Sequence, residues 1–260
     1  MGQFLRDLRI RNVTVDEAAL TRINEVYLAR VAAHNEGIPE GPERVVFHYV
    51  IRFDEKGYRF VNINDVLKCF RDAGTVERVI YSMDSGKNRQ TSGLFGTNLE
   101  LRLDRDPNTC WLNVSADNKD WVDTTFTGIA EILTAHKSWS RYVRTQWTGL
   151  LIQILGVAIG FLISLWAALK ISPMLTLENA FVITFFFALL IYSNVWAYIN
   201  GQISRLIDFC FPNVRFKRPR KDFVYMAVQT LVGGLLIGLT AFLLDKLFDL
   251  VGATLSSFFR

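Results

Sequence analysis

Apolar positions recur with helix and strand periods up to about residue 140 and then merge into long uncharged runs. Thr14-Val-Asp-Glu17 has the spacing of a capping box, in which each side chain satisfies a free N–H at a helix start. Leu20, Ile23, Tyr27 and Val31 follow at 3.6-residue spacing and predict a helix to about Ala33, ended by the Gly/Pro-rich residues 37–42. Val45–Phe53 alternates as a strand does, Glu55-Lys-Gly57 predicts a turn, and Tyr58–Val61 predicts the return strand. Asn62 or Asn64 suits the cap of a short helix carrying Val66, Leu67 and Phe70, with Gly74 at its C′ position. Val76–Met83 predicts a third strand, and residues 84–98 a polar loop with three glycines. Leu99, Leu101 and Leu103 alternate with Glu100 and Arg102, and a turn at residues 104–108 leads into a strand at Thr109–Ser115. Asp117 suits the cap of a last helix, striped by Val122, Phe126, Ile129 and Leu133. Residues 1–140 therefore read as an α+β domain with helices packed on a mainly antiparallel sheet.

Residues 141–260 read as an all-α membrane domain with three transmembrane helices, at about 147–169, 179–200 and 223–244. Each is about 22 residues, which at about 1.5 Å per residue just exceeds a hydrocarbon core of about 30 Å. A basic loop, residues 201–222, joins the second span to the third.

Charge is divided unevenly. Of 29 Lys+Arg and 25 Asp+Glu, residues 1–146 carry 20 of each, so the whole net +4 falls in the membrane half. Lys137, Arg141 and Arg144 precede the first span, and Arg215, Lys217, Arg218, Arg220 and Lys221 precede the third. Basic residues beside apolar spans suit anionic lipid headgroups and the positive-inside rule better than nucleic acid. They predict an integral membrane protein of the cell or inner membrane. Its N-terminal domain is cytoplasmic and its C-terminal tail outside. The opening residues have no apolar core of the signal-peptide kind.

Chemistry is sparse. No expected span has an ionisable residue in its interior, which weighs against a secondary transporter. Gly156, Gly160, Ser164 and Ala168 form a small-residue face, and Gly234 with Gly238 a second. Such faces let another backbone approach for helix packing or self-association. Gln153, Asn194 and Gln229 are candidates for interhelical hydrogen bonds or a pore lining. Ser85-Gly86-Lys87 lacks the earlier glycine of a phosphate-binding loop, yet Lys87 and Arg89 could hold an anionic ligand or a soluble partner. Asp104 and Asp106 read as turn residues rather than a metal pair. Neither the three histidines nor Cys69, Cys110 and Cys210 have the spacing of a metal site. No cofactor and no catalytic constellation is expected. The leading expectation is a homo-oligomeric, pore-forming protein with a cytosolic sensing domain. The alternative is a membrane-anchored scaffold for a soluble partner, and the third a membrane-bound enzyme.

Overall fold

The structure is a computed structural model. It describes residues 3–138 and 140–218, with Ala227, Thr230, Leu231, Gly234, Gly238 and Asp245 as isolated helical positions. Apart from those positions, the expected third span and the C-terminal tail lie outside the described residues, as do Gln229, Arg220 and Lys221. The chain forms two compact units, one running to Tyr142 and resuming at Pro212, the other containing Val143–Phe211.

The first unit is α+β, and its main sheet is antiparallel throughout. The strands are β1 (Phe4–Arg9), β2 (Val13–Val15), β3 (Val45–Phe53), β4 (Lys56–Phe60), β5 (Val76–Ser85), β6 (Asn98–Asp104), β7 (Trp111–Ala116) and β8 (Val214–Phe216). The helices of this unit are α1 (Glu17–Asn35), α2 (Ile63–Asp72), α3 (Gly86–Gln90) and α4 (Lys119–Ala135). Six strands form the main sheet in the order β1-β7-β6-β5-β3-β4. β3 and β4 are joined by a two-residue turn, Asp54–Glu55, with φ of 49° and 63°. Paired positive φ values match the right-handed twist of the strands.

One face of the sheet carries the core. Val79, Tyr81, Met83, Leu99, Leu101, Leu103, Leu112 and Val114 are fully buried there, beneath the apolar stripes of α1, α2 and α4. Three tyrosines bring hydroxyl groups into this core, and each finds a partner. Tyr49 Oη donates to Asn24 Oδ1 at 2.6 Å, Tyr81 Oη to the Leu20 carbonyl at 2.9 Å, and Tyr27 Oη to the Ser82 carbonyl. Their rings meet edge-on or tilted, with centroids 5.3–5.7 Å apart. Burial pushes the Tyr49 hydroxyl up to about 12 and those of Tyr27 and Tyr81 well above their ordinary value, so all three remain protonated donors.

Several local expectations shift. Thr14 belongs to β2 and does not cap a helix; Asp16 Oδ1 accepts from Ala19 N at 2.8 Å instead. Asn118, not Asp117, caps α4. Gly74 does follow the C-cap Ala73 of α2, as expected, and it also serves close approach: Asp54 accepts its N–H, and a Cβ there would lie 2.6 Å from Asp54 Oδ1. The expected loop at 84–98 contains the end of β5, α3 and a turn.

The largest difference follows the second apolar helix. The expected loop 201–222 is helical to Cys210, and the chain then rejoins the first unit as β8, parallel to β2. Asn213 is buried; its Oδ1 accepts from Asn12 N at 3.0 Å and its Nδ2 donates to the Ile10 carbonyl at 3.1 Å. Val214 is buried too, and Phe216 meets Phe70 edge to face. Asn213→Ala leaves a buried donor and a buried acceptor without partners, each costing about 1–3 kcal/mol. We expect this variant to lose about 2–4 kcal/mol, measured by denaturant unfolding of the full-length protein in detergent, with Lys56→Ala unchanged.

Candidate functional site

The first unit has a cavity of about 320 Å³ where β5, β6 and β7 end beside the last turn of α1 and the first turn of α4. His34, Lys87, Thr97, Asp117, Asn118 and Trp121 line it. Its floor depends on Ser85, whose Oγ accepts from Asn88 N at 3.2 Å and Thr97 N at 3.1 Å. That double acceptance folds the chain back tightly. Gly96 takes φ of 97°, and a Cβ there would lie 2.6 Å from Ser85 Oγ. Gln3 Nε2 braces the same turn by donating to the Gly96 carbonyl at 2.6 Å.

The walls are polar with one aromatic side. Trp121 meets the His34 ring edge to face at 5.8 Å. His34 Nε2 lies 3.2 Å from the Glu43 carbonyl, and Nδ1 lies 3.5 Å from Thr97 Oγ1. Lys87 Nζ pairs with Asp117 at 3.4 Å, both side chains about half exposed. Such a pair contributes about 0–1 kcal/mol, so an incoming anion can draw Lys87 away. Asn118 Oδ1 caps α4 by accepting from Trp121 N at 3.1 Å, and the first turn of that helix adds its positive dipole end to the cavity. Arg89 lies outside the cavity and pairs with Asp84 at 3.2 Å. Lys87 was legible as a cation in a glycine-rich stretch. His34, Thr97 and Trp121 come from three other segments, and no sequence spacing links them.

The other candidate residues are placed as follows. Asp104 accepts from Arg78 Nε at 2.5 Å and pairs with Arg102 at 3.5 Å, while Asp106 caps the Asn108 N–H. Burial works to raise the Asp104 carboxyl, but the hydrogen bonds from Arg78, the Asp106 N–H and Thr109, together with the Arg78 charge, outweigh it and hold the carboxyl below its ordinary value. Burial pushes the Cys110 thiol up to about 12. Among the described residues, no three metal-binding side chains cluster. Arg215, Lys217 and Arg218 belong to the return segment: Lys217 N donates to the Val15 carbonyl at 2.8 Å, and Arg218 Nη2 to the Gly74 carbonyl at 2.9 Å. Lys137 bridges to Val13, and Arg141 lies over the Tyr142 ring.

Among the described residues, the second unit contains a pair of antiparallel helices. A single turn, α5 (Ser140–Val143), precedes α6 (Gln146–Ile171), and a short loop leads to α7 (Ala180–Cys210). Both long helices are apolar and long enough to cross a membrane, with mean hydropathies of 2.3 and 1.9. Gly156, Gly160, Ser164 and Ala168 are all buried. A Cβ on Gly156 would overlap the Trp196 ring, and one on Gly160 the Tyr192 ring. Tyr192 Oη donates to the Gly156 carbonyl at 3.0 Å. This small-residue face is thus filled by α7 of the same chain, the helix-packing alternative of the two that its spacing allows. At Gly234 and Gly238, by contrast, an added Cβ would meet nothing within 4 Å among the described residues. Gln153 is exposed on α6, and Asn194 donates to the Leu190 carbonyl of its own helix at 3.0 Å. Arg144 closes the open end of the pair, donating to the Phe211 carbonyl at 2.9 Å and pairing with Asp208 at 2.8 Å.

Gly156→Ala forces α7 away or twists Trp196 off its rotamer, a cost of about 1–3 kcal/mol. We expect it to unfold at lower SDS fraction than the wild type, whereas Gly149→Ala, with nothing among the described residues within 4 Å of the new Cβ, does not lower the midpoint.

No protein-family model, curated protein or solved structure matches this chain.

Proposed function

We propose that the protein is a membrane-anchored binding module. In this reading α6 and α7 cross the bilayer as a hairpin, the α+β unit lies in the cytoplasm, and the Lys87 cavity takes a small anionic molecule. One observation carries the anchoring: the chain leaves the first unit at Tyr142 and re-enters it at Pro212. One folded unit holds both open ends of the hairpin, so both ends lie on one side of the membrane. The outward faces of the two helices support insertion, since Leu151, Ile154, Phe186, Phe187 and Leu190 are each more than half exposed. Exposed apolar surface of that extent suits lipid rather than water.

The positive-inside rule supplies the orientation. Arg144 and Arg205 lie toward the open end of the hairpin, against Lys170 alone near its closed end. A third span would then carry the C-terminal tail outside. A pore is less well supported by the described residues, because α7 fills the first small-residue face and Asn194 is bonded within its own helix. Binding rather than catalysis suits the cavity, because Ser85 Oγ is engaged by two backbone N–H groups.

Orientation is tested by labelling intact cells with a membrane-impermeant maleimide. Thr176→Cys, in the loop between the helices, should react, and Lys56→Cys, in the β3–β4 hairpin, only after lysis. The reverse pattern overturns the orientation, and labelling of both from one side overturns the crossing.

Binding is tested by thermal unfolding of the full-length protein with inorganic phosphate, citrate or adenosine monophosphate. A saturable rise in Tm is expected for at least one, corresponding to about 2.7 kcal/mol at one hundred times Kd. Lys87→Glu should abolish that rise while leaving the ligand-free Tm nearly unchanged. No saturable rise from any of the three, or a rise that Lys87→Glu retains, rejects the site.

A further inference from the structure

We infer that a second copy of this chain packs on the open face of the main sheet. The helices cover one face, and the alternate residues of every strand point to the other. The strand registers arrange the open face in rows across the sheet. One row reads Asp7, Asn113, Glu100, Ser82 and His48 from β1 to β3. The next reads Arg9, Trp111, Arg102, Ile80, Val50 and Arg59 from β1 to β4. The first row is acidic and polar, and the second basic and apolar. Among the described residues, no ion pair occupies Asp7, Glu100, Arg9 or Arg59. Arg102 lies over the Trp111 ring at 4.8 Å, and Trp and Arg are the side chains that most often anchor interfaces.

Charge selects both the occupant and the symmetry axis. A two-fold axis running across the strands, between the two rows, lays the acidic row of one copy on the basic row of the other. β6 then faces β6, Glu100 meets Arg102 of the other copy, and the reciprocal contact forms with it. An axis along the strands would instead set Arg102 on Ile80 and Glu100 on Ser82, leaving every charge without a counterpart. Stacked sheets lie about 10 Å apart and cross at about 30°, so the contacts on the central strands β6 and β5 remain in register while those on the outer strands drift. Six strands at about 4.8 Å spacing, averaging about seven residues at a rise of about 3.4 Å, give a whole face of roughly 700 Å², comparable with the roughly 800 Å² each partner buries in a specific interface. The proposal is independent of the anion cavity and of the membrane orientation.

The test uses the full-length protein in mild detergent, with the monomer–dimer equilibrium followed by sedimentation. The wild type should dimerise. Glu100→Arg breaks no ion pair within the described chain and sets like charges together twice, so Kd should rise at least about 100-fold. Arg102→Glu should weaken dimers similarly, and an equal mixture of the two variants should restore a mixed dimer. Because Arg102→Glu also removes contacts inside the chain, a second measurement stands apart from it. Ser82→Cys places Cα atoms about 12 Å and thiols about 8 Å apart across the axis, so a short bifunctional maleimide of about that thiol span should join two copies, and Glu100→Arg should prevent it. A monomeric wild type, unaltered dimerisation of Glu100→Arg, or cross-linking that Glu100→Arg leaves intact would overturn the proposal.

Discussion

Asn213 holds together segments that lie two hundred residues apart. Its amide accepts from Asn12 and donates to Ile10, and its own carbonyl accepts from Val13 N at 2.9 Å. These bonds set β2 between β8 and residues 136–138, where Thr14 N donates to the His136 carbonyl at 2.8 Å and Ser138 N to that of Asn12 at 2.7 Å. The entrance to α1, the exit from α4 and the segment that follows α7 thereby become one structure. Because the return segment is built into the α+β unit, the two long helices are an insertion in a domain rather than an appendage to its end. The proposed topology, with both ends of the hairpin on one side, rests on this clamp.

The main sheet is asymmetric, and the asymmetry divides the work of the unit. Its helix-covered face holds the apolar core, including three tyrosines whose hydroxyls reach a carbonyl or an amide in the dry interior. A buried hydroxyl without a partner would cost about 1–3 kcal/mol, so these bonds also fix where α1 sits on the sheet. Its open face holds charge in rows. Asp104 there is shared between Arg78 and Arg102, while Glu100, two same-face positions along β6, has no ion pair among the described residues. The cavity at the strand ends draws on both layers: Thr97 and Ser85 from the sheet side, His34 and Trp121 from the helices.

Packing of α6 on α7 follows from absent side chains. In a membrane, burial of apolar surface offers no drive for helices to associate, so close backbone approach and interhelical hydrogen bonds carry the contact. Gly156 and Gly160 make room for the Trp196 and Tyr192 rings, and the Tyr192 hydroxyl reaches the carbonyl that Gly156 leaves accessible. Arg144 neutralises the negative end of α7 through Asp208 and the Phe211 carbonyl.

Much of the fold was legible as period and punctuation. The alternation of Val45–Phe53 and Leu99–Leu103, the stripes of α1 and α4, and the uncharged runs of α6 and α7 each follow from burying one face, both faces or none. β1, β2 and β8 were not legible. FLRDLR is exposed along most of its length at the sheet edge, so no buried face imprints an alternation, and the two three-residue strands are too short to show one. The basic run Arg215–Arg218 is compatible with lipid headgroups by charge alone. It is backbone pairing with β2, together with the Ala73 and Gly74 carbonyls at the end of α2 that accept from Arg218, that takes it into the domain. Likewise the spacing of Gly156 and Gly160 announced a packing face, while the identity of its partner rested on which rings α7 presents. Side-chain pattern along the chain determined which segments are helices, strands and apolar spans, because periodicity is a local property. Only the tertiary structure decided what each segment pairs with, because backbone N–H and C=O groups are alike at every residue and choose their partners by proximity.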